Sequence, residues 1–420
     1  MLSRREAVFL IVLFVATLPA VTARLYSSDE VQYYAYLRSL WFDHDVSFEN
    51  EYRYFYEHHI AQSADFYQTF LVRSEAGTGR RINYGTMGCA ILWSPFYAAA
   101  DLTARALGSA GRDFPADGYS RPYVVAVAYG SAFYGFAAIV LSIVAARRLV
   151  GGHAVTSGLA VWAATPLLFY MYIAPPFSHA CSAFAVALFV TIWLNVRRTW
   201  SAPGAVALGL AGALMVMVRE QDIFFVAGPA VDFAVAFATA VASRFNRTGA
   251  VASRVSQASG GYARWVAAAA AGGIAVAIGY LPQLLAYKSL NGRWGPSPLV
   301  TRKMSWHSPH AVQVLVDTGH GFFFWTPLAV LALAGLIVMT AAPRARGGSP
   351  HDNPAEIRRI GSCMLLMVAM QIYVSGVVES WTVAGAFGQR RFVAITIFLV
   401  VGIAALREAI RGRPDRKSVV

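Results

Sequence analysis

Charge is scarce in this chain: Asp, Glu, Lys and Arg together make up 14% of its 420 residues, against 57% hydrophobic ones. A soluble domain carries about a quarter charged residues and cannot hide this much apolar surface in one core, so an ordinary soluble fold is excluded. Cysteine is scarcer still. Cys89, Cys181 and Cys363 stand far apart in apolar surroundings without C-x-x-C spacing, which excludes a disulfide framework and a thiolate metal site. No Gly-rich phosphate loop is present, so nothing points to a nucleotide donor. Heptads and long internal repeats are also missing.

What remains is a series of apolar runs near 7–23, 122–146, 154–174, 179–196, 203–218, 223–242, 265–287, 321–341, 360–378 and 392–406. Crossing the ~30 Å hydrocarbon core takes about 20 helical residues, and the runs are of that order. An all-α polytopic membrane protein of about 10–11 transmembrane helices is expected, as a single transmembrane domain over residues 1–420. The stretch from Tyr84 to Leu107 is apolar enough to span, but Pro95 interrupts it and Asp101 and Arg105 make its second half amphipathic. A broken helix, a re-entrant hairpin and an eleventh span all fit it. Arg4-Arg5 before the run from Ala7 to Ala23 also fits a cleavable secretory signal, but a retained anchor is the expectation, because many spans follow.

The net charge of +13 comes from Arg residues in short clusters between the runs, not from one basic domain, so no nucleic-acid partner is expected. Arg147-Arg148, Arg197-Arg198, the Arg244–Arg264 and Arg344–Arg359 stretches and the tail 407–420 fall on alternate connections, which the positive-inside rule places in the cytoplasm. The stretches near 244–261 and 343–354 read as linkers. The opposite side then collects a first outer loop at 24–83, a second at 288–320, the turn before His179, Arg219 to Asp222, and Glu379 to Arg391. Nearly every unusual polar cluster is there, so an active site on the outer face is expected. The first loop is rich in aromatics at 3–4 spacing, among them Trp41, Phe48, Tyr52, Phe55 and Phe66, which predicts interfacial helices lying on the bilayer.

Asp29-Glu30 follows the first span directly, and an ionisable pair at the hydrocarbon boundary is costly to desolvate, which favours a task over a solvated helix start. A carboxylate there can take the proton of an attacking hydroxyl. Asp43-His44-Asp45 supplies oxygen and nitrogen ligands, so Asp43 and Asp45 are candidates for substrate or for a divalent cation, with a solvated loop as the plainer reading. In Asn83 to Tyr97 the small residues Gly85, Gly88 and Ala90 permit close backbone approach, either as a groove wall or as helix packing. His179, after Pro175-Pro176, stands at a helix start suited to an anionic phosphate. Arg219 is a candidate phosphate ligand or a partner for Asp222. His307, His310 and His320 carry no metal spacing. Arg390-Arg391 on the outer side opposes the positive-inside trend and wants a compensating anion, a lipid phosphate or pyrophosphate.

With Ser27-Ser28-Asp29-Glu30 after the first helix, an outer loop with interfacial helices, the Asn83–Tyr97 stretch and Phe387-Gly388-Gln389-Arg390-Arg391-Phe392 before the last span, the chain resembles the GT-C superfamily of polytopic glycosyltransferases. That group uses polyprenyl-phosphate sugars and includes protein O-mannosyltransferases and lipid A aminoarabinose transferases. The resemblance implies that Asp29, with Glu30 beside it, contacts the acceptor hydroxyl or serves as base, and that Arg390 or Arg391 holds the donor phosphate. It implies an inverting transfer from a polyprenyl-phosphate-sugar donor to a glycan, lipid or protein acceptor, at the outer face of a bacterial inner membrane. No sizeable soluble module follows the last span, unlike in the better-known members. A transporter or flippase for a lipid-linked or anionic solute is the rival reading, but it should place polar groups at the midplane.

Overall fold

The computed structural model describes residues 2–75, 77–245, 255–307, 309–342, 353–383 and 385–411. Most of the two expected cytoplasmic linkers and of the tail falls on 246–254, 343–352 and 412–420, outside the described residues.

Every apolar run of the sequence is helical. Among the described residues six helices are long and apolar enough to cross a membrane: Arg121–Leu149, His179–Val196, Glu220–Ser243, Tyr262–Asn291, Pro354–Val377 and Arg390–Arg411. Ala154–Ala163, Ala202–Val218 and Leu328–Ala341 are shorter apolar helices. Proline sets several of the breaks, because its ring removes a backbone donor and clashes with the preceding turn. The 154–174 run divides at Pro166 and the 321–341 run at Pro327, while the first helix, Arg4–Thr17, passes into a 3-10 turn at Pro19. The protein is an integral membrane protein of all-helical architecture, and no strand occurs among the described residues.

The ambiguous stretch resolves into one continuous helix, Gly88–Ser109, with Pro95 inside it, not a hairpin or a broken helix. Gly88 explains its position. A Cβ there would fall 2.3 Å from the backbone of Met217 and Val218, so the helix docks on the end of Ala202–Val218 backbone to backbone. The same device closes the far side of the bundle: a Cβ on Gly402 would stand 2.1 Å from the carbonyl oxygen of Ala332. At the other end of the spans a buried charge knot ties three helices together. Asp232 is fully buried, pairs with Arg197 at 2.8 Å and Arg359 at 2.7 Å, and accepts from the indole of Trp193 at 3.0 Å.

The first loop folds into helices Ser28–Arg38 and Glu49–Glu57 and shorter turns. Its rings pack on one another: Phe48, Tyr52, Phe55 and Phe66 are buried, with Tyr36 and Phe48 at 4.8 Å and Tyr52 and Phe70 at 5.3 Å between centroids. Burying large rings against each other removes apolar area from water, and Tyr34 and Phe42 carry the cluster on to Tyr97 of the Gly88–Ser109 helix. The 288–320 segment lies beside it. Its backbone joins the end of Pro354–Val377 through Ser305 N–H to Val377 C=O and Glu379 N–H to Lys303 C=O, each at 2.8 Å.

Candidate active site

Ser27 caps the Ser28–Arg38 helix: its hydroxyl accepts from the Glu30 N–H while Glu30 accepts from the Ser27 N–H at 3.0 Å and the Tyr26 N–H at 2.9 Å. This reciprocal capping fixes the first turn. Glu30 is therefore turned inward, fully buried, and burial pushes its carboxyl up to about 7. Asp29, one residue earlier, is left pointing out of the turn, at a helix start where the backbone dipole favours a negative group.

The other wall comes from the far end of the chain. Gly388 takes a left-handed conformation with φ +64°, and a Cβ there would meet Pro166 at 2.9 Å, so this turn requires glycine. The turn delivers Arg390 and Arg391 at the mouth of the last span with different roles. Arg390 reaches Asp29, Nη1 to Oδ2 at 2.9 Å, with the two side chains 24% and 39% exposed, and its guanidinium stands 5.5 Å over the ring of Phe177. Arg391 is buried and donates to the carbonyl and the hydroxyl of Ser380, each at 3.0 Å.

The Pro175-Pro176 turn sets His179 at the start of the next span, buried between Phe177 and Tyr170. Arg219 donates to His179 Nδ1 at 2.7 Å and to Gln221 at 3.3 Å. The imidazole thus backs Arg219 as an acceptor instead of offering an N–H to an anion at that nitrogen. Arg219 and Asp222 meet through the backbone, Asp222 N–H to Arg219 C=O at 2.9 Å, and the Asp222 carboxylate, turned inward by the 3-10 turn Glu220–Val226, accepts from the hydroxyl of Ser182 at 2.6 Å.

Asp29, His179, Arg219, Arg390 and Arg391 form one electrostatic group. Arg391 feels Arg219, Arg390 and Asp29, and His179 feels all three arginines. Tyr33 joins them, one turn beyond Asp29, accepting from Ser178 at 3.1 Å, with burial pushing its phenol up to about 12. Asp43 and Asp45 stand apart: Asp43 pairs with Arg38 and accepts from Asn50, and Asp45 accepts from Ser39 and the Ser47 N–H, so their bonds stay within residues 38–50. His44 between them is left-handed at φ 58°. The triplet shapes a turn, and no group of three His, Cys, Asp or Glu among the described residues is placed to hold a metal ion.

One cavity touches this group, through Tyr33 and Arg219, while Asp29, Arg390 and Arg391 are not on its wall, and a second cavity meets the first at Glu220. A chamber of about 370 Å³ is walled by Tyr33, Tyr84, Arg219, Glu220, Gln221 and Trp306. A larger groove of about 630 Å³ runs between Ala202–Val218, Ala227–Phe245 and the long helix Val255–Asn291, and apart from Glu220, Tyr280 and Trp200 its wall is apolar or glycine. Glu220 lines both. Sequence reasoning passed over Glu220, Tyr280 and Tyr287. Two tyrosines and Gln283 at one-face spacing on an otherwise apolar helix were the available signal.

No family model and no curated protein matches the sequence. Among solved structures the chain is similar to the crystal structure of ArnT from Cupriavidus metallidurans bound to undecaprenyl phosphate, at 14% identity and a TM-score of 0.49, over 96% of this chain. The chain spans 60% of the length of that protein.

Proposed function

We propose that the protein is a membrane glycosyltransferase that moves a sugar from a polyprenyl-phosphate donor to a hydroxyl of a glycan, lipid or protein acceptor, with inversion. The observation that carries this reading is the Asp29–Arg390 contact inside a group of three guanidiniums, one of which, Arg219, lines a chamber that shares Glu220 with a long apolar groove. The groove suits a polyprenyl tail, and the chamber suits the head it carries.

In the proposed step the donor phosphate draws Arg390 away from Asp29, with Arg219 and Arg391 completing the cationic cradle. The freed Asp29 carboxylate takes the proton of the acceptor hydroxyl as its oxygen attacks the anomeric carbon. The bond from that carbon to the phosphate oxygen breaks, and its electron pair leaves on polyprenyl phosphate, whose charge the arginines hold. His179 keeps Arg219 in place from behind. Arg clusters on alternate connections favour an outward-facing site, in a bacterial inner membrane.

The test is transfer by the purified protein in liposomes, given labelled polyprenyl-phosphate sugars and hydroxyl-bearing acceptors, with and without chelator. A glycosylated product with release of polyprenyl phosphate is expected. Movement of the lipid across the bilayer without any product supports the transporter reading instead.

A further inference from the structure

Glu220 is a carboxylate that the transfer step leaves unused. It stands where the chamber meets the groove, and two phenols hold it: Tyr287 donates to its Oε1 at 2.6 Å and Tyr280, on the groove wall, donates to the same oxygen at 3.3 Å. Tyr280, Gln283 and Tyr287 lie on one face of the long helix, and Gln283 is itself anchored by the Met87 N–H at 2.9 Å. The carboxylate is thus fixed by the fold. A carboxylate has about four lone-pair sites, so two phenol bonds leave acceptor capacity.

Around it the chamber combines ring faces with hydrogen-bonding groups. Trp306, Phe224 and Tyr84 supply the rings, while Arg219 and Gln221 supply donors and an amide. A sugar offers the matching chemistry, an apolar C–H face and a rim of hydroxyls. Arg219 is engaged with His179 and Gln221, which leaves Glu220 as the anionic acceptor on that wall.

We infer that Glu220 reads the sugar of the donor: it accepts hydrogen bonds from ring hydroxyls or an amino group and turns away a ring that carries a carboxylate. The inference rests on the transferase reading. Its physical basis is that a like charge brought beside a fixed carboxylate in a poorly solvated chamber is repelled, and that the carboxylate then loses the donors it was placed to meet.

The experiment measures binding to the purified full-length protein in lipid nanodiscs, by competition against a labelled polyprenyl phosphate. The competitors are polyprenyl phosphate bearing glucose, the same lipid bearing glucuronic acid, and the lipid without sugar. Wild type is expected to prefer the glucose lipid by roughly tenfold or more, and Glu220→Gln to shrink that preference to about threefold or less, through better binding of the glucuronate lipid. Tyr287→Phe, which loosens the carboxylate without removing it, is expected to fall between. Equal binding of the two sugars by wild type, or an unchanged preference in Glu220→Gln, overturns the inference while binding of the sugar-free lipid leaves the transferase reading standing. No binding of any polyprenyl phosphate overturns both.

Discussion

Arg390 and Asp29 meet at 2.9 Å from opposite ends of the chain, each still partly open to solvent. A purely structural ion pair gains nothing from staying wet, because exposed pairs contribute roughly 0–1 kcal/mol. A pair that must part for a ligand is helped by that small contribution. Arg390→Gln is therefore expected to raise the donor KM by about tenfold or more, while Arg390→Lys recovers part of the loss, since lysine keeps the charge but not the bidentate geometry. Steady-state transfer kinetics over a donor series check this. An unchanged donor KM in Arg390→Gln counts against a phosphate at this position.

Glu30 makes stability depend on pH in a definite direction. Burial pushes its carboxyl from 4.5 to about 7, so between those values the folded protein keeps a proton that the unfolded chain has released. Its contribution is full below the unfolded value and is lost as pH rises through the folded one. Thermal unfolding of the purified protein should show a midpoint that falls between about pH 4.5 and about pH 7, with a visibly flatter slope in Glu30→Gln. Glu51 in the loop core shifts in the same direction and leaves a residual slope. Identical slopes in both proteins contradict the assignment.

Asp232 is the anion on which two arginines depend. Replacing it with Asn leaves Arg197 buried without its main counter-charge, a change that costs on the order of 3–5 kcal/mol when a buried partner is lost. The expected result is a markedly lower melting temperature and lower yield, with donor affinity retained in whatever protein folds. Glu356, also near Arg197 at 3.8 Å, is more exposed, and Glu356→Gln should cost far less.

Gly88 offers a packing test independent of charge. A single methyl group there collides with the Met217–Val218 backbone, so Gly88→Ala must push the Gly88–Ser109 helix off its neighbour. Overpacking of this kind costs about 1–3 kcal/mol. Since Thr86 and Arg219 follow from that junction into the chamber wall, donor binding should weaken together with the melting temperature. Gly108, on the same helix but on neither cavity wall and with its nearest neighbour for a Cβ the Phe114 carbonyl oxygen at 4.0 Å, is the control, and Gly108→Ala should weaken neither.

The helices were legible in the sequence because hydrophobic runs and arginine pairs are local signals, and breaks at Pro166 and Pro327 are the direct effect of a missing backbone donor. Asp29, Arg390 and Arg391 stood out as charges at span ends. That Asp29 and Arg390 touch is a tertiary fact no local pattern contains. Asp43-His44-Asp45 left a cation site and a solvated loop both open in the sequence, because the same residues that ligate cations also make turns, and Arg38 and Asn50, with which Asp43 bonds, lie outside the triplet. Glu220 was overshadowed by Arg219 beside it, since the tyrosines that fix it are on another helix. The groove is built from small residues on facing helices, where Gly209 comes close enough that a Cβ would stand 2.4 Å from the Gly272 carbonyl, and only assembly reveals it.

We propose Asp29 as the group that takes the acceptor proton. Its most direct test is sugar transfer by purified Asp29→Asn, compared with wild type for rate, donor affinity and melting temperature. Transfer slowed by about 100-fold or more, with donor binding and melting temperature close to wild type, is the predicted result. Transfer at near wild-type rate in a folded Asp29→Asn protein would contradict it.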